Sequence, residues 1–225
     1  MKIDILTLFP EMFTGFLETS IIKRARDNSY INIEVHNFRD YSQDKHKRVD
    51  DYPYGGGAGM VLMCEPIFRA IESIRTEDSF VIMLTPSGKL FKQEVAIDLS
   101  HKKHLILLCG HYEGFDERIR SIVDLELSIG DYVLTGGEIP AMAITDAITR
   151  LIPGVITKES LDYESFNDNL FDYPNYTRPE VFRGMKVPEV LLSGHHKNIE
   201  KYRQDERIRK TKEFHDNLSG GDYHE

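Results

Sequence analysis

The stretch "SFVIMLTPSGKLFKQEVAIDLSHKKHLILLCG" occupies residues 79–110. It opens on a nearly continuous apolar run, "SFVIMLT", that stops at Pro86, and it closes on a second such run, "HLILLCG", that stops at glycine. Short runs that are apolar on both alternating faces suit strands covered from both sides. Between them, "FKQEVAIDLS" reads as a helix. Buried strand, helix, buried strand is the signature of a parallel α/β sheet. The flanks continue the alternation. "KIDILTL" (2–8) and "INIEVHNF" (31–38) read as strands, Pro10 opens a helix through about Arg26, and "EPIFRAIESI" (65–74) is an amphipathic helix. "DERIRSIV" (116–123) reads as a short helix. "YVLTGGEIPAMAITDAITRLI" (132–152) reads as a turn and then a long helix, with Ala141, Ile144, Ile148 and Leu151 as its apolar stripe. The expected fold class is therefore α/β with a mostly parallel sheet.

Composition narrows the function classes. The chain has 225 residues, 40% of them hydrophobic, enough for one sizeable core and a small second domain. Its apolar runs are too short to cross a membrane. The amino terminus, "MKIDILTLFPEMF", lacks the uninterrupted apolar stretch of a signal peptide, so the chain reads as cytoplasmic. Cys64 and Cys109 each lie in an apolar run and read as small buried hydrophobes. The nine histidines contain no HExxH pattern. His101 and His104 have no carboxylate or thiol in support, and the adjacent His195 and His196 point to different faces, so no metal site is expected.

After "IPG" at 152–154 the character changes. We divide the chain into an α/β domain at 1–154, an acidic, aromatic and non-periodic linker at 155–178, and a short basic helical domain at 179–225. The net charge of −9 argues against a surface that grips nucleic acid everywhere but leaves room for a basic face. "KHKR" (45–48) is one candidate. Residues 195–215 are the other, with seven Lys or Arg against four acids. Taken alone, this run suits a solvated, salt-bridged helix at least as well.

Residues 39–59 form a long polar loop ending in "YGGGAG", with glycine at 55, 56, 57 and 59. It fails both phosphate-cradle patterns. No Lys or Ser/Thr follows Gly59, as GxxxxGK[ST] requires, and GxGxxG is not matched between a strand and a helix. What remains is bare backbone that a flat ring or another chain can approach. Three more loops stand beyond the buried strands: "LTPSG" (84–88), "CGHYEGFDERI" (109–119) and "SIGDYVLTGGEIPAM" (128–142), where Gly136-Gly137 breaks the strand. Ligands of open α/β sheets bind at that edge. None of the three carries a Lys or Arg placed for a phosphate chain, so the expected pocket suits an adenine ring and a ribose. Glu138 suits the positive end of the following helix, and Pro140 is tolerated in its first turn.

The segments "LFPEMF", "NFRDY", "VDDYPYGGGAGM", "CGHYEGFDERI", "SIGDYVLTGGEIPAM", "RLIPGV", "YTRPEV" and "VPEVLLSGHH" occur in this order from Met1 to about Arg209. Together they resemble the bacterial tRNA (guanine-N1)-methyltransferases of the TrmD type, in the SPOUT class. The resemblance implies a trefoil knot in the carboxyl-terminal part of the α/β domain, an exception to the rule that chains do not thread loops. It implies S-adenosylmethionine (SAM) as methyl donor. The adenosine would rest on Leu84, Thr85 and Pro86, on Gly110, Tyr112 and Glu113, and on Ile129, Gly130, Asp131, Tyr132, Val133 and Leu134 with Gly136, Gly137 and Pro140. A side chain at Gly110 or Gly136 would then collide with the donor. The resemblance further implies a homodimer with shared active sites and, as substrate, the guanine at position 37 of tRNA. The "YGGGAGM" loop would wall the target guanine and the dimer seam.

The chemistry constrains the remaining residues. Guanine N1 carries a proton at neutral pH, so methylation needs a base, and negative charge builds on O6 as the proton leaves. An Arg is the natural partner of that oxygen. Arg150 corresponds to the catalytic arginine of the family, while also suiting the negative end of its helix. The family's usual base is an Asp before "SF"; here the text is "DYESF", in a linker one residue shorter. Glu164 occupies the slot and is the preferred base, and Asp162 is its competitor. The chain also ends soon after the basic run, so residues 197–212 would supply more of the phosphate contact. Two alternatives stay open: a SPOUT enzyme acting on another RNA nucleotide, and an RNA-binding protein that keeps a SAM pocket without activity.

Overall fold

A computed structural model describes residues 1–157, 165, 166, 168 and 170–219. It divides into two compact units, 1–156 and 157–225. The first is built on a five-stranded sheet of β1 (Lys2–Thr7), β2 (Asn32–Asn37), β5 (Ser79–Leu90), β6 (His104–Cys109) and β7 (Leu125–Ser128), in the order β2-β1-β6-β5-β7. Every pairing is parallel, with Ile5 facing Val35 on one side and Leu107 on the other, and Ile82 facing Leu107 and Leu125. Two short antiparallel strands, β3 (Asp50–Asp51) and β4 (Val61–Leu62), pair apart from it.

The alternation of side chains across the sheet makes two cores. Ile3, Ile5, Ile33, Leu105 and Leu107 face α2 (Ser20–Asp27), α4 (Gln93–Ser100) and α5 (Glu138–Leu151). Leu6, Val81, Met83, Ile106 and Leu108 face α3 (Cys64–Ile74), Phe38 and Ile119. All six residues of β6 are buried, as a central strand covered on both faces requires. Each such aliphatic side chain stabilises the fold by about 2 kcal/mol. The stripe expected on α5 is real: Ala141, Ile144 and Ile148 are fully buried, and Leu151 packs against the same core.

Two local expectations need correction. The helix expected from Pro10 to Arg26 is broken into a 3-10 turn at Pro10–Phe13, α1 (Thr14–Leu17) and α2, because Thr19 is extended and Ser20 adopts φ +54°. The short helix expected at 116–123 is present as a six-residue 3-10 helix, Glu117–Ile122. Gly136-Gly137 do not break the strand, which ends earlier, at Ser128; "YVLT" lies outside it, as its reading as a turn requires, and Val133 is 85% exposed. "LTPSG" leaves and re-enters β5, since Leu84 and Lys89 both face Leu127 and the four residues between them bulge out.

At the amino end of the sheet, Asp4 is fully buried. His36 Nε2 lies 2.8 Å from Oδ1 and His104 Nε2 2.6 Å from Oδ2, with the Lys2 ammonium at 3.0 Å. Ser79 Oγ, 2.7 Å from His104 Nδ1, fixes that ring from the other side. Burial pushes the Asp4 carboxyl up, but the bonds from His36, Lys2 and His104 outweigh it and the net shift is downward. A depressed native value stabilises the fold fully above the ordinary carboxylate value of about 4, and the contribution fades as pH falls through the native value. Asp4→Asn is expected to lose about 2 kcal/mol at neutral pH and to show a shallower acid limb than the parent. Urea denaturation at several pH values checks this; parallel acid limbs in the two proteins would rule it out.

The second unit contains a hairpin of Val181–Phe182 and Met185–Lys186, a short helix Glu189–Leu192, and the long helix His196–Ser219. Residues from the stretch read as a linker bond this helix. Asp168 meets the buried Arg207 guanidinium at 2.5 Å, Thr211 Oγ1 accepts the Phe171 N–H, and Lys210 Nζ donates to Asp172. Phe171 stacks edge-on between Phe166 and Phe214.

Candidate functional site

Because the five strands are parallel, their carboxyl ends share one edge, where open α/β sheets bind ligands. Three loops leave that edge and enclose a cavity of about 300 Å³, at the lower end of small-molecule sites. Fourteen of the fifteen positions expected to hold the donor line it: Leu84, Thr85, Pro86, Gly110, Tyr112, Glu113, Ile129, Gly130, Tyr132, Val133, Leu134, Gly136, Gly137 and Pro140. Asp131 does not border the cavity. His111, Gly114, Phe115, Leu127, Ser128 and Thr135 line it without having been singled out. Their signal was contiguity with the loops already read. For His111 there was no other signal, because its partner is 27 residues away.

Five of the twenty lining residues are glycines, and at Gly110, Gly136 and Gly137 the reason is steric. A Cβ on Gly137 would lie 2.6 Å from Cys109 Cα, and the Gly137 N–H donates to Gly110 O at 2.9 Å. A Cβ on Gly110 would sit 2.8 Å from Phe115 Cε2, and one on Gly136 would overlap His111 Nε2 and Glu138 Oε2. The collision expected at Gly110 and Gly136 is therefore with the protein itself, before any ligand is considered. Among the described residues no Lys or Arg lines the cavity, and its carboxylate is Glu113. Such walls suit a flat heteroaromatic ring, a ribose and a cationic centre, and they repel a phosphate chain. The Cys109 thiol behind them is pushed well up, by burial first and by the Glu138 charge second.

The glycine-rich loop backs this cavity. Gly55, Gly56, Gly57 and Gly59 all have positive φ, from +79° to +131°. Side-chain-bearing residues rarely adopt that conformation. A Cβ on Gly59 would overlap the Glu113 side chain. The backbone beyond is stitched to the cavity wall: Glu113 N–H donates to Met60 O, Leu62 N–H to Gly114 O and Asp116 N–H to Leu62 O, at 2.9–3.0 Å. Tyr54 at its tip is fully exposed.

Comparison with known proteins bears on these loops directly. A profile of the tRNA (Guanine-1)-methyltransferase TrmD family matches residues 1–220. The chain belongs to that family. Curated relatives named tRNA (guanine-N(1)-)-methyltransferase include one from Malacoplasma penetrans, 59% identical over 94% of each chain. Another, from Dictyoglomus turgidum, is 57% identical over 94% of this chain and 86% of its own. A third, from Halalkalibacterium halodurans, is 56% identical over 98% of this chain and 92% of its own. As a member of the family the chain is a methyltransferase.

The remaining expected site residues lie elsewhere. Arg150 is in the last turn of α5, whereas the cavity meets the first turn at Pro140. Ten residues of helix separate the two by roughly 15 Å. Within one chain the structure does not bring Arg150 to the cavity. Glu164 and Asp162 lie outside the described residues. Of the basic run, Arg207 bonds Asp168, Arg209 bonds Glu206 and Glu213, Lys210 bonds Asp172, and Arg203 covers the Tyr173 ring. Lys197, Lys201 and Lys212 are exposed and form no ion pair among the described residues. The run is thus part internal brace and part free cationic surface. Among the described residues no helix is long and apolar enough to cross a membrane.

Proposed function

We propose that this chain methylates N1 of guanine 37 in tRNA with SAM as donor, as a homodimer whose active sites each draw on both chains. The observation that carries the donor assignment is the glycine-bearing cavity at the carboxyl edge of the sheet, lined by no Lys or Arg among the described residues. Leu84, Gly110 and residues 129–137 would hold the adenosine through backbone N–H and C=O groups. When bound, SAM supplies an electrophilic methyl group on a sulfonium. Glu164 takes the N1 proton, with Asp162 as the competing base. Arg150 neutralises the charge developing on O6. The cavity walls keep water from competing for the methyl group.

Two features support the shared site. Arg150 is remote from the cavity of its own chain, so the Arg150 of a second chain is the natural supplier. Tyr132, Val133 and Ile139, around the cavity and the start of α5, are 54%, 85% and 52% exposed, a cluster that a second copy would cover. The trefoil knot belongs to the same reading. It is supported by backbone crossings that only glycine permits: at Gly88 a Cβ would lie 2.5 Å from Leu127 N, and at Gly137 the backbone of Cys109 is equally near. The tRNA contact is assigned to the basic helical part of the second unit, residues 179–225, through Lys197, Lys201 and Lys212, with 155–178 as its connection and the cytoplasm as its place of work.

Transfer of labelled methyl groups from SAM to tRNA transcripts tests the proposal. A transcript with guanine 37 should be methylated, and one with adenine at 37 should give background. Equal labelling of both would point to a different target nucleotide. SAM binding without any transfer would point to a binding protein.

A further inference from the structure

Beneath the cavity, Thr7, Glu138 and His111 form a buried chain of hydrogen bonds that the proposed reaction does not use. Glu138 is the first residue of α5 and is 1% exposed. Its Oε1 accepts from Thr7 Oγ1 at 2.6 Å, and its Oε2 lies 2.9 Å from His111 Nε2. Thr7 Oγ1 accepts in turn from the Phe9 N–H at 2.9 Å. The Phe9 ring packs on His111 with centroids 4.8 Å apart. His111 itself lines the cavity, whereas Thr7 and Glu138 do not.

A carboxylate this deeply buried is costly unless donors surround it. Here a hydroxyl, an imidazole N–H and the positive end of α5 do so. Those donors come from the end of β1 and from the loop after β6. The carboxylate therefore ties two strand ends to the start of a helix. A helix start needs only a short polar cap at the surface, so stability of α5 does not account for the burial. Gly136 fits the same scheme, since any Cβ there would overlap the His111–Glu138 pair. With the Gly137 to Gly110 bond, the pair locks the 110–114 loop to the 135–137 loop at a second point.

We propose that His111, held by Glu138 and Thr7, is a positioning residue for the methyl donor: the chain of bonds sets the spacing of the two glycine loops between which the donor is held. This rests on the SAM reading above. Thr7 offers the cleanest test because it lies outside the cavity. Thr7→Val keeps the shape and leaves both Glu138 Oε1 and the Phe9 N–H without a partner. Its Kd and KM for SAM should rise about tenfold, the scale of one hydrogen bond to a charged group, while kcat at saturating SAM changes little. Thr7→Ser should restore the parent values. Calorimetry with SAM alone and initial rates with tRNA read the two quantities separately. SAM binding by the parent protein with an unchanged Kd in folded Thr7→Val overturns the inference, as does a fall in kcat with KM unmoved. Absence of SAM binding in the parent overturns the donor assignment instead. Should Thr7→Val fail to fold, His111→Leu carries the test. It removes the bond to Glu138 Oε2, so the same rise in KM is expected, and an unchanged KM overturns the inference.

Discussion

Glu164→Gln is expected to lower single-turnover methyl transfer by roughly 10²- to 10⁴-fold, the contribution of a positioned general base, with SAM affinity unchanged. The reason is the proton on guanine N1: without a carboxylate in reach, the nitrogen lone pair is not free to attack. Asp162→Asn should cost far less, because Asp162 stands two residues before the slot that precedes "SF". Glu164→Asp separates length from charge. If the extra methylene of Glu offsets the shorter linker, Asp should be slower here despite being the usual residue of the resembled family. Rapid-quench assays with labelled SAM give all three rates. The reverse pattern, a mild Glu164→Gln and a dead Asp162→Asn, would move the base to Asp162.

Arg150→Ala is the second large effect. Loss of one donor to a developing oxyanion costs roughly 10²- to 10³-fold in rate, and Lys should restore only part, since it lacks the planar fork of Arg. Arg150 lies a helix length from the cavity of its own chain, so the loss should be complementable in trans. Mixing Arg150→Ala with Glu164→Gln chains produces dimers with one doubly damaged site and one intact site, provided the two residues of a site come from different chains. With random exchange in a two-fold dimer, about a quarter of all sites would be intact. No recovery after verified subunit exchange would mean that one chain supplies both residues, and the shared site would have to be redrawn.

How much of this was legible beforehand depended on the range of the interaction. Strands β1, β2, β5 and β6, helices α3 and α4, and the body of α5 follow from local periodicity, which depends on solvent exposure alone. The break at Ser20 and the 3-10 form of Glu117–Ile122 were not legible, because backbone propensities there differ by little and packing decides. The cavity loops were legible as glycine loops beyond buried strands and, with the family resemblance, as one binding site. The basic run was legible as a charge count, yet which of its cations are free was decided by Asp168 and Asp172, some 35–40 residues earlier.

By itself, the sequence determined a parallel α/β sheet, a pocket at its carboxyl edge and the lack of a Lys or Arg placed for a phosphate chain in the loops that form it. These rest on residue type and short-range order, which the chain carries wherever it folds. Only the tertiary structure decided that Gly136 makes room for the hydrogen-bonded His111–Glu138 pair, that Gly59 makes room for Glu113, and that Thr7 meets Glu138. Residues 7 and 138 are 131 positions apart, and no local pattern encodes a contact over that distance; it exists because parallel pairing delivers both to the same edge of the sheet.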